Sequence, residues 1–261
     1  MKNSKSVVFK RQQALLKELR EQKTIDVETV AQKLSVSPTT IRRDLVMFEK
    51  QNLIERFHGG ATLLEESLRE EDIPTDSHEA EDREQKQAIA RYAAELVEDG
   101  DTIFLNSSST ALMMLDYLKG KRVIVVTNNG FAVGCPHDSQ VEIIMTGGEI
   151  YRRRKSLVGE FALHTLSKII ADKAFIGVGG ISAEGGITTS VLPETAINDT
   201  MLRRCQGKCY VLAATSKIGR EHNFHSADVN QINCLITCKG APQTELDAIR
   251  NSGVDVVELN I

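Results

Sequence analysis

Hydrophobic side chains in the first sixty residues recur at the spacing of amphipathic helices. One such stretch runs from Phe9 to Leu19, and a second follows Asp26, whose carboxylate can cap a helix by accepting backbone N–H groups. A third begins at Ser37 and Pro38, a capping serine followed by proline at the first helical position, and its inner face contains Ile41, Leu45 and Phe48. Two capped helices joined by a short turn predict a helix-turn-helix.

The pattern changes to alternation after the third helix. Residues 53–57 alternate between apolar and polar side chains, Gly59 and Gly60 predict a turn, and residues 61–63 can return as a second strand. This hairpin is typical of a wing. The helices and this hairpin together predict a winged helix-turn-helix.

A second region of different character follows. Residues 64–85 are acidic and nearly free of large apolar side chains, which is typical of a linker. An amphipathic helix then stops at Gly100, and helical stretches beyond it alternate with the apolar runs TIFLN, RVIVVT, VEIIMTG, KAFIGVG, CYVLAA, CLITC and VDVVEL. Continuous apolar strands separated by helices predict an α/β domain over residues 86–261, with a mostly parallel sheet covered on both faces.

Charge is distributed unevenly between these two regions. The chain has a net charge of −4, yet residues 1–60 contain twelve Lys and Arg against seven Asp and Glu, a balance of +5, while the remainder carries −9. A basic module on an acidic body favours a local polyanionic partner. No apolar run is long enough to span a membrane and the N-terminus lacks the apolar core of a signal peptide, so a cytoplasmic protein without a membrane partner is expected.

The third helix indicates what that polyanion is. Arg42 and Arg43 lie near its positive end, where the helix dipole makes cations mildly unfavourable. Thr39, Arg43, Val46 and Lys50 recur on one outer face, and double-stranded DNA whose major groove held this face would supply the missing anions. The expected DNA contacts from helix and wing are Ser37, Thr39, Thr40, Arg42, Arg43, Lys50, Arg56 and His58. The alternative is the solvated face of an ordinary helix.

Small polar residues follow the predicted strands at the sheet edge where their carboxyl ends meet. Residues 106–110 separate the first strand from a helix, so their hydroxyls and unpaired N–H groups can form an anion cradle. Together with the ends of neighbouring strands they suit a phosphorylated sugar, and the expected contacts are Asn106, Ser107, Ser109, Thr110, Thr127, Asn128, Gly147, Gly148 and Lys217. For any single loop, Gly and Ser could equally form a simple turn. The basic segment Tyr151–Ser156 could be a phosphate clamp, a mobile lid or a solvated loop.

The five cysteines do not indicate a metal site. Cys205 with Cys209, and Cys234 with Cys238, are separated by three residues, whereas zinc knuckles usually have two. Because Cys209, Cys234 and Cys238 lie in or beside apolar strand-like runs, buried reduced thiols are the better interpretation. Neither a metal nor a cofactor is expected.

The sequence resembles the DeoR family of bacterial transcription regulators in both regions. The N-terminal match is VSPTTIRRDLVMFEKQNLIERFHGGA, and the C-terminal matches are DGDTIFLNSSST, VTNN, TGGE, SLVGEFA, DKAFIGVGGI, GIT and TSKIG. The resemblance implies a winged helix-turn-helix domain over about residues 8–63, with its helix-turn-helix at about residues 25–44. It also implies a sensor domain that is similar to ribose-5-phosphate isomerase and glucosamine-6-phosphate deaminase and senses phosphorylated sugars. The first sensor loop departs from the family's usual Asp-Ser-Gly-Ser-Thr. Asn106 replaces the Asp, which removes a charge that could bind sugar hydroxyls, and Ser108 replaces the Gly, which restricts the loop backbone.

The combined expectation is a sequence-specific DNA-binding repressor of sugar-metabolism genes, controlled by a phosphorylated sugar and acting as a homodimer or higher homo-oligomer. The alternative is a sugar-phosphate isomerase or deaminase with an appended DNA-binding domain. Such an enzyme needs a positioned base, and Asn106 cannot serve as one. Glu149 and Glu194 could be bases, but each could equally be a hydroxyl acceptor or a surface acid. No catalytic residue is therefore assigned.

Overall fold

The computed structural model describes residues 11–12, 14–15, 18–19, 22, 24–50, 54–57, 59–63, 76–152 and 154–261. The chain divides into two compact units, residues 1–75 and 76–261. Within the described part of the chain, none of the helices is both long enough and apolar enough to cross a membrane.

The first unit contains the predicted helix-turn-helix. Helix α1 spans Val27–Lys33 and is capped by Asp26, whose Oδ1 accepts a hydrogen bond from the Thr29 N–H at 2.9 Å. Helix α2 spans Pro38–Lys50, and the Ser37 Oγ at its start accepts from the Thr40 N–H at 3.2 Å. The predicted inner face is confirmed, because the three side chains expected there are at most 2% exposed: Ile41, Leu45 and Phe48.

The wing is also confirmed, and it belongs to a three-stranded sheet. Strands β2 (Ile54–Phe57) and β3 (Gly60–Leu63) form the hairpin, and β1 (Thr24–Asp26) pairs with β3 on its other side. The sequence pattern did not predict β1, because a strand of three residues is too short to show the alternation of apolar and polar side chains. Gly60 is required where the strands meet, since a Cβ there would lie 2.3 Å from the carbonyl oxygen of Ile25.

A buried ion pair ties α2 to the helical residues that precede it. Arg11 Nε lies 2.6 Å from Asp44 Oδ2, and the Gln12 side chain donates to Asp44 Oδ1 at 3.0 Å. The hydrogen bond from the Arg11 guanidinium to this carboxylate raises the pKa of Arg11. Asp44 is only 4% exposed, so its charge depends on these donors for compensation.

The second unit begins earlier than composition predicted. Helix α3 spans Asp76–Glu95, so residues 76–85, expected to be linker, are helical. These residues include Glu, Ala, Arg and Gln, which have high helix propensity even without an apolar stripe. Residues 64–75 of the expected linker, and the expected start of the first domain at residues 8–10, lie outside the described residues.

The core of the second unit is a sheet of seven parallel strands in the order β15-β14-β12-β9-β4-β5-β6. The strands correspond to the seven apolar runs of the sequence and span Thr102–Leu105 (β4), Val123–Thr127 (β5), Val141–Met145 (β6), Ala171–Gly177 (β9), Cys205–Leu212 (β12), Cys234–Cys238 (β14) and Asp255–Leu259 (β15). The prediction of a mostly parallel α/β sheet is confirmed.

Two apolar clusters cover the two faces of this sheet. Alternate residues of one strand join different clusters, as Phe104 does on one face and Ile103 and Leu105 do on the other. Helices α3 and α4 (Ser109–Met113) pack on one face. The other face is covered by α5 (Glu160–Ser167), α6 (Leu192–Arg203) and α7 (Gln243–Asn251).

Two small antiparallel sheets complete the unit. One is the hairpin of β7 (Glu149–Tyr151) and β8 (Ser156–Val158), and the other contains β10 (Gly180–Ser182), β11 (Gly186–Thr189) and β13 (Phe224–Ala227). The sequence pattern did not predict these strands of three and four residues.

The strand order reverses between β4 and β9. From β4 the chain adds β5 and β6 on one side, and then crosses to β9 and the remaining strands on the other. In open α/β sheets such a reversal leaves a crevice beyond the carboxyl ends of the two strands, where ligands bind. The reversal places the Asn106–Thr110 loop beside Gly177 at the end of β9.

Ser108 packs closely against Gly177 at this reversal. A Cβ on Gly177 would lie 1.9 Å from Ser108 Oγ and 2.3 Å from Ser108 Cβ. The backbone of Ser108 is extended, with φ −71° and ψ 149°, so the serine needs none of the freedom of the glycine expected there.

We predict that Asp44→Ala lowers the free energy of unfolding of the first unit by about 3–5 kcal/mol, because it leaves the Arg11 guanidinium without its buried counter-charge. Urea denaturation of the full chain, followed by circular dichroism, measures the change. Glu28→Ala is the matched control, since it breaks the ion pair with Arg42 in which both side chains are more than half exposed, and it should cost at most about 1 kcal/mol. Equal losses in both variants would contradict the prediction.

Gly177→Ala should destabilise the second unit by about 1–3 kcal/mol through overpacking against Ser108. The double change Ser108→Gly/Gly177→Ala should recover most of that loss, because it removes the colliding side chain. Gly134→Ala is the control, as a Cβ at Gly134 would meet nothing within 4 Å. Urea denaturation measures the free energy of unfolding of each variant. A double variant no more stable than Gly177→Ala would show that the contact between the new Cβ and the Ser108 side chain is not the cause of the loss.

Candidate functional site

The outer face of α2 exposes the residues expected to read DNA. Thr39 and Arg43 are both exposed, and Val46, on the same expected face, is half-buried. Lys50 is the last residue of α2, but its side chain, like the whole of His58, lies outside the described residues.

The remaining expected DNA contacts have partners within the first unit. Ser37 Oγ and Thr40 Oγ1 lie 2.8 Å apart at the cap of α2. Arg42 donates to Glu28 at 2.9 Å and Arg56 donates to Glu49 at 2.7 Å. Both arginines are substantially exposed, and ion pairs of that kind contribute little, so phosphate could replace either carboxylate at small cost.

In the second unit, Asn106 uses its whole side-chain amide within the protein. Its Nδ2 donates to the Gly177 carbonyl at 2.8 Å and to Asn198 Oδ1 at 3.0 Å. Its Oδ1 accepts from the N–H groups of Gly177 at 3.0 Å and Ser108 at 3.3 Å. With both donors and both acceptor positions occupied, Asn106 holds the loop in place and its amide has no capacity left for a ligand.

The loop after Asn106 presents its polar groups in different directions. Ser108 Oγ caps α4 by accepting from the Ala111 N–H at 3.0 Å. Ser107 Oγ donates to Glu194 Oε1 at 3.0 Å. Ser109 is exposed at the first position of α4 and Thr110 is buried behind it. Ser109 is thus the loop hydroxyl most open to solvent.

The residues after β5 support this loop from the side. Asn129 donates from Nδ2 to the Ser108 carbonyl at 3.3 Å, and its backbone N–H donates to Thr127 Oγ1 at 3.1 Å. Asn128 Nδ2 donates to the Leu157 carbonyl at 3.1 Å, while its buried Oδ1 has no hydrogen-bond partner among the described residues. Thr127, Asn128 and Asn129 are all at most 2% exposed, so the expected contacts Thr127 and Asn128 lie beneath the surface of the crevice.

The expected glycines and lysine lie at other points of the same edge. Gly147 and Gly148 follow β6 with φ values of 67° and 107°, which favour glycine. A Cβ on Gly148 would also lie 2.4 Å from the Val158 carbonyl oxygen. Lys217 ends a short 3-10 helix after β12, and β9 separates β12 from β4. Lys217 therefore does not follow a strand adjacent to β4, as expected, but the next strand beyond it in the sheet.

Glu194, which was not among the expected contacts, lies next to Ser107, and Arg154 lies near Glu194. Glu194, in the first turn of α6, is only 3% exposed although it carries a carboxylate. Arg154, at the tip of the β7–β8 hairpin, places a guanidinium nitrogen 3.8 Å from Glu194 Oε2 and another 3.3 Å from Ser190 Oγ. The basic segment thus reaches the carboxyl edge of the sheet. Forty residues separate these two side chains, and no local pattern indicates that they meet.

The cysteines match their predicted state. All five are free thiols, and Cys209, Cys234 and Cys238 are buried in β12 and β14. Burial raises the pKa of Cys234 and of Cys238 to about 11, so both thiols stay protonated at neutral pH.

Comparison with known proteins finds the same two parts. A model of the DeoR-like helix-turn-helix domain matches residues 11–67, and a model of the DeoR C terminal sensor domain matches residues 81–239. The HTH-type transcriptional repressor GlcR of Bacillus subtilis is 32% identical over 245 residues, which cover 94% of this chain and 93% of that protein. The putative aga operon transcriptional repressor of Escherichia coli O157:H7 is 27% identical over 249 residues, with coverage of 95% and 92%.

Two solved structures show a looser similarity. Ribose 5-phosphate isomerase A from Methanocaldococcus jannaschii matches with a TM-score of 0.38 and 17% identity, over 52% of this chain and 54% of that chain. The full-length sorbitol operon regulator SorC from Klebsiella pneumoniae matches with a TM-score of 0.39 and 16% identity, over 95% and 100%. The family models, which match both units, and the similarity to GlcR over nearly the whole length show that this chain belongs to the DeoR family of DNA-binding transcription regulators.

Proposed function

We propose that this protein is a repressor of sugar-metabolism genes, which binds operator DNA through α2 and its wing and is controlled by a phosphorylated sugar bound at the carboxyl edge of the parallel sheet. The relatives named as transcriptional repressors support the sign of regulation. The observation that carries the effector part is the convergence of the Ser107 loop, Arg154 and Glu194 at the strand-order reversal.

On DNA, the exposed face of α2 enters the major groove. Arg43 reads a base edge, because an arginine can donate two hydrogen bonds to the O6 and N7 of guanine, and Thr39 lies beside it on the same face. The other expected residues contact phosphates and so set the position of the helix: Ser37, Thr40, Arg42, Lys50, Arg56 and His58. The protein acts in the cytoplasm as a homodimer or larger homo-oligomer, since helix-turn-helix proteins commonly read two symmetric half-sites.

In the sensor unit, the phosphate lies against Ser109, Thr110 and the backbone of Ser107, whose hydroxyl donates to Glu194 instead. Backbone N–H groups in the first turn of a helix have no intrahelical partner, and the dipole adds a positive potential there. Arg154 supplies the counter-charge from the hairpin, because a guanidinium matches the geometry of phosphate oxygens. The glycines Gly147 and Gly148 keep the neighbouring turn compact, Lys217 adds positive charge further along the edge, and the buried Asn106, Thr127 and Asn128 support the crevice from beneath.

Arg43→Ala should weaken operator binding by about 1–3 kcal/mol, the usual contribution of a bidentate contact to guanine, and should relax specificity at one base pair. Fluorescence anisotropy with operator and scrambled DNA measures both effects. Arg42→Ala is the matched control, because loss of a phosphate contact should weaken both DNAs alike and reduce the salt dependence by about one charge. Unchanged operator affinity in Arg43→Ala would overturn the docking arrangement.

Arg154→Ala should weaken the binding of phosphorylated sugars and of inorganic phosphate by at least about tenfold, because charged hydrogen bonds contribute about 1.5–3 kcal/mol each. Isothermal titration calorimetry of the full chain is the measurement. Arg152→Ala, which removes an exposed arginine from the same hairpin, should bind like the wild type. Equal effects in the two variants would mean that the hairpin acts only through its general charge. Turnover of these sugar phosphates by the wild type would favour the isomerase or deaminase alternative instead.

A further inference from the structure

We infer that Glu194 is the hydroxyl acceptor of the effector site, and that it restricts the effector to phosphorylated sugars whose hydroxyl group can donate to this carboxylate. The inference rests on the proposed effector site and adds the part of the ligand that the phosphate contacts do not define. It also identifies which residue replaces the carboxylate that is missing at position 106.

Glu194 has fewer hydrogen bonds to the described residues than a buried carboxylate requires. Its Oε1 accepts from Ser107 Oγ at 3.0 Å, whereas Oε2 lies 3.8 Å from the Arg154 guanidinium, which is too far for a hydrogen bond. The residue is 3% exposed, and buried charges are normally compensated by several close donors. One carboxylate oxygen therefore has unused acceptor capacity beside the loop where the phosphate is placed.

The backbone fixes this carboxylate where it is. Glu194 lies in the first turn of α6, where the helix dipole favours a negative charge. The next turn of the same helix carries Asn198, whose Oδ1 accepts from Asn106 at 3.0 Å, so α6 is joined directly to the strand end at the reversal. These contacts tie α6 to both Asn106 and Ser107 and limit how far Glu194 can move away from the crevice.

The chemistry of a carboxylate selects one kind of group. An ionised carboxylate only accepts hydrogen bonds, so it binds a hydroxyl and repels a phosphate. The phosphate and Glu194 must therefore contact different ends of the ligand, with Arg154 between them. Inorganic phosphate lacks the hydroxyl end, and a deoxy sugar phosphate lacks one of the possible donors, whereas a fully hydroxylated sugar phosphate provides both groups.

This arrangement predicts opposite effects of one substitution on two ligands. Glu194→Gln removes the negative charge but keeps the size of the side chain, and its amide oxygen can still accept from Ser107. Affinity for a phosphorylated sugar should fall by at least about tenfold, which corresponds to about 1.4 kcal/mol, because a hydrogen bond to a charged acceptor is lost. Affinity for inorganic phosphate should be unchanged or higher, because the repelling charge beside Arg154 has gone.

The test is isothermal titration calorimetry of the full chain. The hydroxylated probes are ribose 5-phosphate, glucose 6-phosphate and fructose 6-phosphate. The comparison probes are 2-deoxyribose 5-phosphate, 2-deoxyglucose 6-phosphate and inorganic phosphate. For the wild type, at least one hydroxylated probe should bind at least about tenfold more tightly than inorganic phosphate or its own deoxy counterpart. Glu160→Gln is the matched control, since Glu160 also lies in the first turn of a helix but is exposed. It should bind all the probes like the wild type.

The outcomes separate the inference from the proposed function. Equal loss of affinity for sugar phosphate and inorganic phosphate in Glu194→Gln, with a lowered melting temperature, would show that Glu194 only holds the loop in place, and would overturn the inference. Wild-type behaviour of Glu194→Gln towards every probe would also overturn it, while leaving the phosphate site intact. If the wild type itself binds none of the phosphate compounds, the proposed effector site is wrong and the inference is wrong with it.

Discussion

Two hydrogen bonds between Asn106 and Gly177 join the ends of β4 and β9, and the crevice of the sensor unit depends on this junction. The sheet reverses its strand order between β4 and β9, and Asn106 spans that reversal with one donor and one acceptor on the same residue of β9. An aspartate could accept from the Gly177 N–H but could not donate to the Gly177 carbonyl. The Asn at this position is thus accommodated by local hydrogen bonding, since its amide supplies a donor and an acceptor to the same residue of β9.

Another element brings a carboxylate to the same loop. The amide of Asn106 is fully used, and the carboxylate that contacts Ser107 comes from α6, more than eighty residues further along the chain. Ser108 also shapes this loop. It fills the space over Gly177 and caps α4, so the loop keeps its shape without the glycine that the family usually has there.

The sequence predicted those features that depend on neighbouring residues. The capped helices, the wing and the seven parallel strands were all visible as periods, caps and turn residues, and the polar segments that follow the strands share one edge of the parallel sheet. It did not distinguish the residues that line the crevice from those beneath it, because Thr127 and Asn128 have the same polar composition as Ser109. The meeting of Arg154 with Glu194 depends on a long connection between β8 and α6, and the start of α3 at Asp76 depends on helix propensity without an apolar stripe.

The β7–β8 hairpin connects the charged groups of the crevice to the rest of the sensor unit. Its second strand is held against the residues after β5, with Leu157 bonded to Asn128 through both backbone and side chain and Ser156 paired with Asn129. The tip has a different attachment, because Arg154 contacts Glu194 and Ser190 across a gap of 3.8 and 3.3 Å. The base of the hairpin is therefore fixed by short backbone hydrogen bonds, and the tip brings the Arg154 guanidinium beside the buried Glu194 carboxylate.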